Sequence, residues 1–396
     1  MEESLLERVR TETPLVASGA VHLNNAGASP PPQPVLDAVS EYQEFEAVHG
    51  GYESRDLRAD DIDAAYHAVA ELLGCRRRNV ALVENATAGF VQALLAFDWK
   101  PGDVVLTTRH DYTSNFLQFL SLERRRGVRC VVAPDRPEGG VDPDRLGELI
   151  EEHRPRLVSL SWMPTNSGLV QDAAAVGVHC RARNVPYLVD ACQTVGQLPI
   201  DVEVLGCDFL SATGRKFLRG PRGTGMLFVS DRQLEAGAHP LTLDLHGATW
   251  TGPRDFELQP DARRFENWEF NYSLVLGLGA AARYALELGI ERVAERSTSL
   301  AARVRTLAEK AGLRVLDEGP ELGAIVTLDV RDHRAEELVD VLRRRRIHTS
   351  SQGRESAVLD LEAKGVDQLL RISPHYFNTD TEIEHAVEQV CRLLQS

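Results

Sequence analysis

A chain of 396 residues, 43% hydrophobic and 26% charged, is long enough for one large α/β unit and a smaller second one. Its formal net charge of −15 excludes nucleic acid and anionic membrane surfaces as partners, because a polyanion is repelled. The six cysteines include no CxxC pair and read as small apolar residues in a reducing compartment, not as a disulfide framework.

The N-terminus, Met1-Glu2-Glu3-Ser4-Leu5, is acidic, and no stretch approaches the ~18 uninterrupted apolar residues of a membrane span, so a cytoplasmic protein without a membrane partner is expected. From residue 60 to 230, short apolar runs alternate with helix-period segments. Strands are predicted over 79–83, 103–107, 129–132, 157–162, 186–190, 208–212 and 224–229, with helices over 87–97, 113–122 and 143–152. That alternation predicts a mostly parallel seven-stranded sheet with helices on both faces. Residues 239–269, rich in Pro, Gly and Asp, read as a loop. Helices over 273–288, 293–310, 335–345 and 381–394, with a strand over 324–330, then predict a smaller α+β unit. The expected division is 18–270 for the large domain and 271–396, with 1–17, for the small one. The run Arg343-Arg344-Arg345-Arg346 falls at a predicted helix end, where cations are favourable; an anion site is the alternative.

The strongest chemical signal is Tyr187-Leu188-Val189-Asp190-Ala191-Cys192-Gln193. Its acid ends a buried parallel strand, where α/β sheets build their sites. A carboxylate there is unfavourable unless a cation pairs with it, either a protonated heterocycle nitrogen or an arginine. Downstream, Ser211-Ala212-Thr213-Gly214-Arg215-Lys216-Phe217 follows another apolar strand. A lysine buried there has the depressed pKa an imine-forming amine needs; a surface lysine in a turn is the plain alternative. Ser211, Thr213 and Arg215 supply phosphate-type ligands around it, and Arg219-Gly220-Pro221-Arg222-Gly223 adds a tight turn. A strand-end acid and a lysine amid phosphate ligands match the needs of pyridoxal 5'-phosphate (PLP). Glu84-Asn85-Ala86-Thr87-Ala88-Gly89, between a strand and a helix, forms a second phosphate cradle or simply a helix N-cap. No metal is expected.

With the Asp190-Ala191-Cys192-Gln193 and Gly214-Arg215-Lys216 elements in this order, the chain resembles the class V aminotransferase family, fold-type I PLP enzymes that include cysteine desulfurases, isopenicillin-N epimerase and kynureninase. The likeness runs from His22-Leu23-Asn24-Asn25-Ala26-Gly27 to Arg371-Ile372-Ser373-Pro374-His375 and on to Thr379. It implies the fold-type I PLP-dependent transferase fold, with Lys216 carrying the cofactor, Asp190 on the pyridine nitrogen, Gln193 on the ring hydroxyl, and Ala86 and Thr87 on the phosphate. It further implies Arg371 on the substrate α-carboxylate, Asn25 and Tyr52 near the substrate, and a homodimer in which loops near Gly50 and Trp268 complete the partner's site.

Several positions depart from the family pattern. Tyr112, in Asp111-Tyr112, stands where desulfurases carry a histidine, so it would stack on the cofactor ring. Thr165 falls where relatives often have asparagine, with Asn166 as a substitute, and Arg215 replaces the usual histidine beside the lysine. The segment Arg264-Phe265-Glu266-Asn267-Trp268-Glu269 lacks the Gly-Thr pair from which relatives take a phosphate contact across the dimer. Thr349-Ser350-Ser351-Gln352-Gly353-Arg354-Glu355-Ser356 lacks the persulfide-forming cysteine of desulfurases, which argues against that activity. The wording around Gly50-Gly51-Tyr52 and Lys216 is similar to the C–S lyases of ergothioneine and lincosamide biosynthesis. That likeness implies β-elimination on a cysteine S-conjugate in a thiol or antibiotic pathway, with Tyr52, His49 or Tyr112 as leaving-group acid. Decarboxylating oxidative deamination, epimerisation and transamination stay open, and a non-catalytic relative is the reading from outside enzymology.

Overall fold

The computed structural model describes residues 1–394. At its centre lie β1 (Val80–Val83), β2 (Val104–Thr108), β3 (Arg129–Ala133), β4 (Leu157–Ser161), β5 (Tyr187–Asp190), β6 (Phe209–Thr213) and β7 (Gly225–Val229). They form one sheet in the order β1-β7-β6-β5-β4-β2-β3, parallel throughout except for β7, which runs antiparallel to β1 and β6. This is the expected seven-stranded, mostly parallel sheet. Every strand residue is buried except along the edge strand β3, which is why the strands read as unbroken apolar runs.

Alternation along the strands divides the core. Ala81, Val105, Leu188 and Phe209 join Phe90 of a helix Ala86–Leu94 and Phe119 of a helix Thr113–Arg126 on one face. Leu82, Leu106, Val189 and Leu210 join Val69 and Leu278 on the other, from helices Ala59–Leu73 and Tyr272–Leu288. Those two helices meet closely: a Cβ on Gly279 would lie 2.5 Å from the Ala65 Cβ. The helices Gln33–His49 and Ala59–Leu73 add to the expected elements.

Residues read as a loop contain an exposed hairpin, β8 (Ala248–Gly252) with β9 (Asp255–Leu258). Neither strand buries a face, so no hydrophobic alternation marks it. A second, antiparallel sheet follows, β10 (Val326–Asp329), β11 (Ser350–Gly353) and β12 (Gln368–Ile372), with β12 in the middle. Leu300, Val304, Leu338, Leu342, Ile383 and Val387 cover it from three helices. The N-terminal segment is stitched to this side: Val21–His22 pairs with Ile347–His348, and Asn24 bridges to Ser373. The arginine run does close a helix, Ala335–Arg344, with Arg343 paired to Asp340. No single helix among the described residues is long and apolar enough to cross a membrane.

Candidate active site

Asp190 ends β5 on the line where the parallel strands finish, and the turn leaving β6 carries Lys216 beside it. The Asp190 carboxylate accepts from the Cys192 amide at 2.9 Å and from Asn115 Nδ2 at 3.1 Å. Among the described residues no basic side chain lies within ion-pair distance of it. Lys216 is only 7% exposed. Burial pushes its ammonium pKa down; Cys192 and Asp190 oppose that, while Arg215 and Arg371 reinforce it. The result is a lysine with an accessible neutral, nucleophilic form. Its Nζ lies 5.8 Å from the centroid of the Tyr112 ring. Tyr112 is fixed through its backbone, donating to Asp111 Oδ1 at 2.8 Å and Ser161 Oγ at 3.1 Å.

Two cavities meet at Tyr112, Arg215 and Lys216. The inner one, about 260 Å³, is also lined by Ala86, Thr87, Asp190 and Thr213. Asn85 caps the helix there, accepting from the Ala88 amide at 2.9 Å, so the N-cap reading belongs to Asn85 while Thr87 lines the cavity. Only a glycine at 225 permits this approach, since a Cβ would lie 2.6 Å from the Asn85 carbonyl carbon. The outer cavity, about 600 Å³, is lined by Thr165, Gln352, Ser356 and Arg371. A larger cavity of about 790 Å³ lies elsewhere, around Trp162 and Leu198, but no lysine, histidine, cysteine or hydroxyl-bearing residue lines it.

Arg371, on β12 and 4% exposed, donates through Nη1 to the Thr165 hydroxyl at 2.7 Å and carbonyl at 3.0 Å, and through Nη2 to Asn24 Oδ1 at 3.2 Å. Burial lowers its pKa to about 10, and its Nε has no partner. Gln193 Nε2 donates to Thr165 Oγ1 at 3.0 Å and to the Ala26 carbonyl at 3.2 Å, leaving its Oε1 unpaired.

Other expected residues sit differently. Thr165 serves Arg371 and Gln193, and Asn166 turns away from both cavities. Ser211 is fully buried and gives its hydroxyl to the Ala86 carbonyl at 2.7 Å, so it supports the cradle from behind. Asn25 faces inward, holding the Ser373 carbonyl at 2.7 Å and the Ser29 hydroxyl at 2.8 Å; Asn24 is the neighbour that meets Arg371. Tyr52 is 69% exposed and, like His49, lines neither cavity. Of the three candidate leaving-group acids, Tyr112 alone borders Lys216. Sequence reasoning missed Asn115, which links Asp190 to Asp111, and gave no site role to Cys192 and Arg222, which line the inner cavity.

PLP fits these residues. A buried carboxylate lacks a cation, burial pushes the pKa of a neighbouring amine down, hydroxyl and guanidinium groups line one cavity, and Arg371, its Nε unpaired, borders the next. Fold and cavity together define a PLP-dependent enzyme. The chain belongs to the class V aminotransferases: residues 21–385 match the family model described as "Aminotransferase class-V", whose cofactor is pyridoxal 5'-phosphate. It is 27% identical over 385 residues to a probable cysteine desulfurase of Methanothermobacter thermautotrophicus, covering 96% of this chain and 95% of that one. It is 30% identical over 393 residues to a probable hercynylcysteine sulfoxide lyase of Mycobacterium tuberculosis, covering 98% and 93%. The apo cysteine desulfurase of Thermococcus onnurineus NA1 superposes with a TM-score of 0.89 at 22% identity, over 98% of each chain.

Proposed function

We propose that this enzyme cleaves the C–S bond of an S-conjugated L-cysteine by β-elimination, releasing a thiol, pyruvate and ammonia in a thiol or secondary-metabolite pathway. The observation that carries this reading is the outer-cavity wall: Ser351, Gln352, Gly353, Glu355 and Ser356 border it, and none offers a thiol. Cys192, which lines the inner cavity with Lys216, has its thiol pKa pushed up by burial and by Asp190, so it stays protonated. Without a thiolate to accept sulfur, the substituent leaves with it. Likeness to the sulfoxide lyase supports the same chemistry.

Bound PLP supplies the electron sink that stabilises negative charge at Cα. Arg371 takes the α-carboxylate through its fork, oriented by Thr165 and Asn24. The Lys216 amine would remove the Cα proton, and the β-sulfur would depart with the bonding pair. One water then converts the remaining three-carbon enamine to pyruvate and ammonia. Asp190 would keep the ring nitrogen protonated, Gln193 would serve the ring hydroxyl, and Ala86, Thr87, Thr213 and Arg215 would hold the phosphate. Incubating PLP-loaded protein with a panel of S-substituted L-cysteines should yield pyruvate and a free thiol by mass spectrometry. Carbon dioxide with a sulfur-retaining aldehyde would overturn the lyase reading and leave the cofactor assignment standing.

We also propose a cytoplasmic homodimer, with 18–270 as the cofactor-binding domain and 271–396, joined by 1–17, as the small one. Arg10 supports the second grouping, donating to Glu382 at 2.7 Å and the Phe377 carbonyl at 2.8 Å. Val48, Tyr52, Trp250 and Phe256 are exposed large apolar residues, and the Arg55 guanidinium lies 4.9 Å from the Trp268 ring, joining the two expected contact loops into one surface. Light scattering on protein from the soluble fraction should give twice the chain mass. A fully active monomer would refute the dimer.

A further inference from the structure

A fully buried carboxylate, Asp360, lies outside the chemistry described so far, on the helix Val358–Lys364 that follows the outer-cavity wall. Lys364 Nζ lies 2.6 Å from its Oδ2, and Asn166 Nδ2 donates to the same oxygen at 2.5 Å. His110 Nδ1 stands 3.3 Å from Oδ1, and Arg109 Nε 3.9 Å. Asp135 closes the cluster, 2.5 Å from Arg109 Nε and 3.1 Å from His110 Nε2. His110, whose pKa burial opposes but Asp135 and Asp360 raise, adds a third basic group to Arg109 and Lys364. Burial alone would raise the Asp360 carboxyl, yet His110 and Lys364 hold it down at about 2.

A buried ion cluster is a weak source of net stability, because desolvation offsets the attraction. What this one does is join the segments that build the substrate side of the site. His110 precedes Tyr112 by two residues. Asn166 directly follows Thr165, the residue that grips Arg371. The cavity wall reaches Asp360 through Ser356, whose carbonyl accepts from the Thr113 hydroxyl. Within the cluster, one carboxylate side chain meets all three segments.

We propose that Asp360 is a positioning residue for the amino-acid substrate: its buried charge locks the Tyr112 loop, the Thr165–Arg371 pair and the outer-cavity wall at fixed spacing. This rests on reading the cavity as an amino-acid site, not on which bond is cleaved. L-Alanine, which has no β-leaving group, is therefore the probe, its binding followed through the absorbance of the PLP-loaded enzyme. Asp360→Asn should raise the apparent Kd for L-alanine by about tenfold or more while PLP affinity stays within about twofold. The double variant Asp360→Leu with Lys364→Met removes the orphaned lysine charge. It should recover thermal stability lost by the single variant without recovering L-alanine affinity. Wild-type L-alanine binding in either variant, or loss of PLP affinity in the same proportion, would overturn the proposal. Failure to make pyruvate from a cysteine conjugate would instead count against the lyase reading alone.

Discussion

Replacing Lys216 with alanine should lower turnover by at least ~10³-fold while the protein still folds and still takes up PLP without a covalent bond. The size of the loss follows from the absence of any stand-in. The chain has four lysines, Lys100, Lys216, Lys310 and Lys364. Two are exposed, and Lys364 is held by Asp360 at 2.6 Å. No other amine can attach the cofactor or carry the Cα proton. Because burial depresses the Lys216 pKa, the neutral amine is populated at pH values where an exposed lysine is almost wholly protonated. Covalent uptake of PLP by the apoprotein should therefore quicken with rising pH and level off below 10.5, the ordinary lysine value. Unchanged turnover in the alanine variant would remove Lys216 from the chemistry, and a midpoint at the ordinary value would sink the burial argument.

Asp190→Asn should reduce turnover by about 10²–10³-fold while Lys216 still takes up the cofactor covalently. The amide is nearly isosteric and its one oxygen still accepts from the Cys192 amide, while its NH2 takes the place of the oxygen that accepts from Asn115. What it lacks is the negative charge that keeps a ring nitrogen protonated. A buried carboxylate with no protein cation beside it is tolerable only if a cation arrives with a ligand. The asparagine variant should accordingly bind PLP more weakly as well as turn over slowly. Turnover within threefold of wild type would remove Asp190 from the pyridine nitrogen.

The parts of the site legible in the sequence are those whose chemistry conflicts with their local setting. An acid ending an unbroken apolar strand and a lysine three residues beyond another are anomalies in residue type, and they stand out without coordinates. The seven strands were legible because burial on both faces leaves an uninterrupted apolar run, whereas the β8–β9 hairpin buries neither face and carries no such mark.

The amino-acid order by itself thus determined the sheet, the cofactor class and the Asp190–Lys216 pair, and the missing cysteine between 349 and 356 narrowed the reaction. Tertiary structure alone decided the substrate side. Asn24 and not Asn25 meets Arg371, because neighbours in an extended segment point to opposite sides and only the bridge to Ser373 fixes which side is inward. Ser211 was read as a phosphate ligand but lies beneath the helix Ala86–Leu94, which packs over that face of β6. Thr165, Asp360 and Arg371 come from segments up to 206 residues apart, and nothing local in any of them records the others. Such contacts are set by how two sheets pack, a long-range property that strand periodicity does not encode.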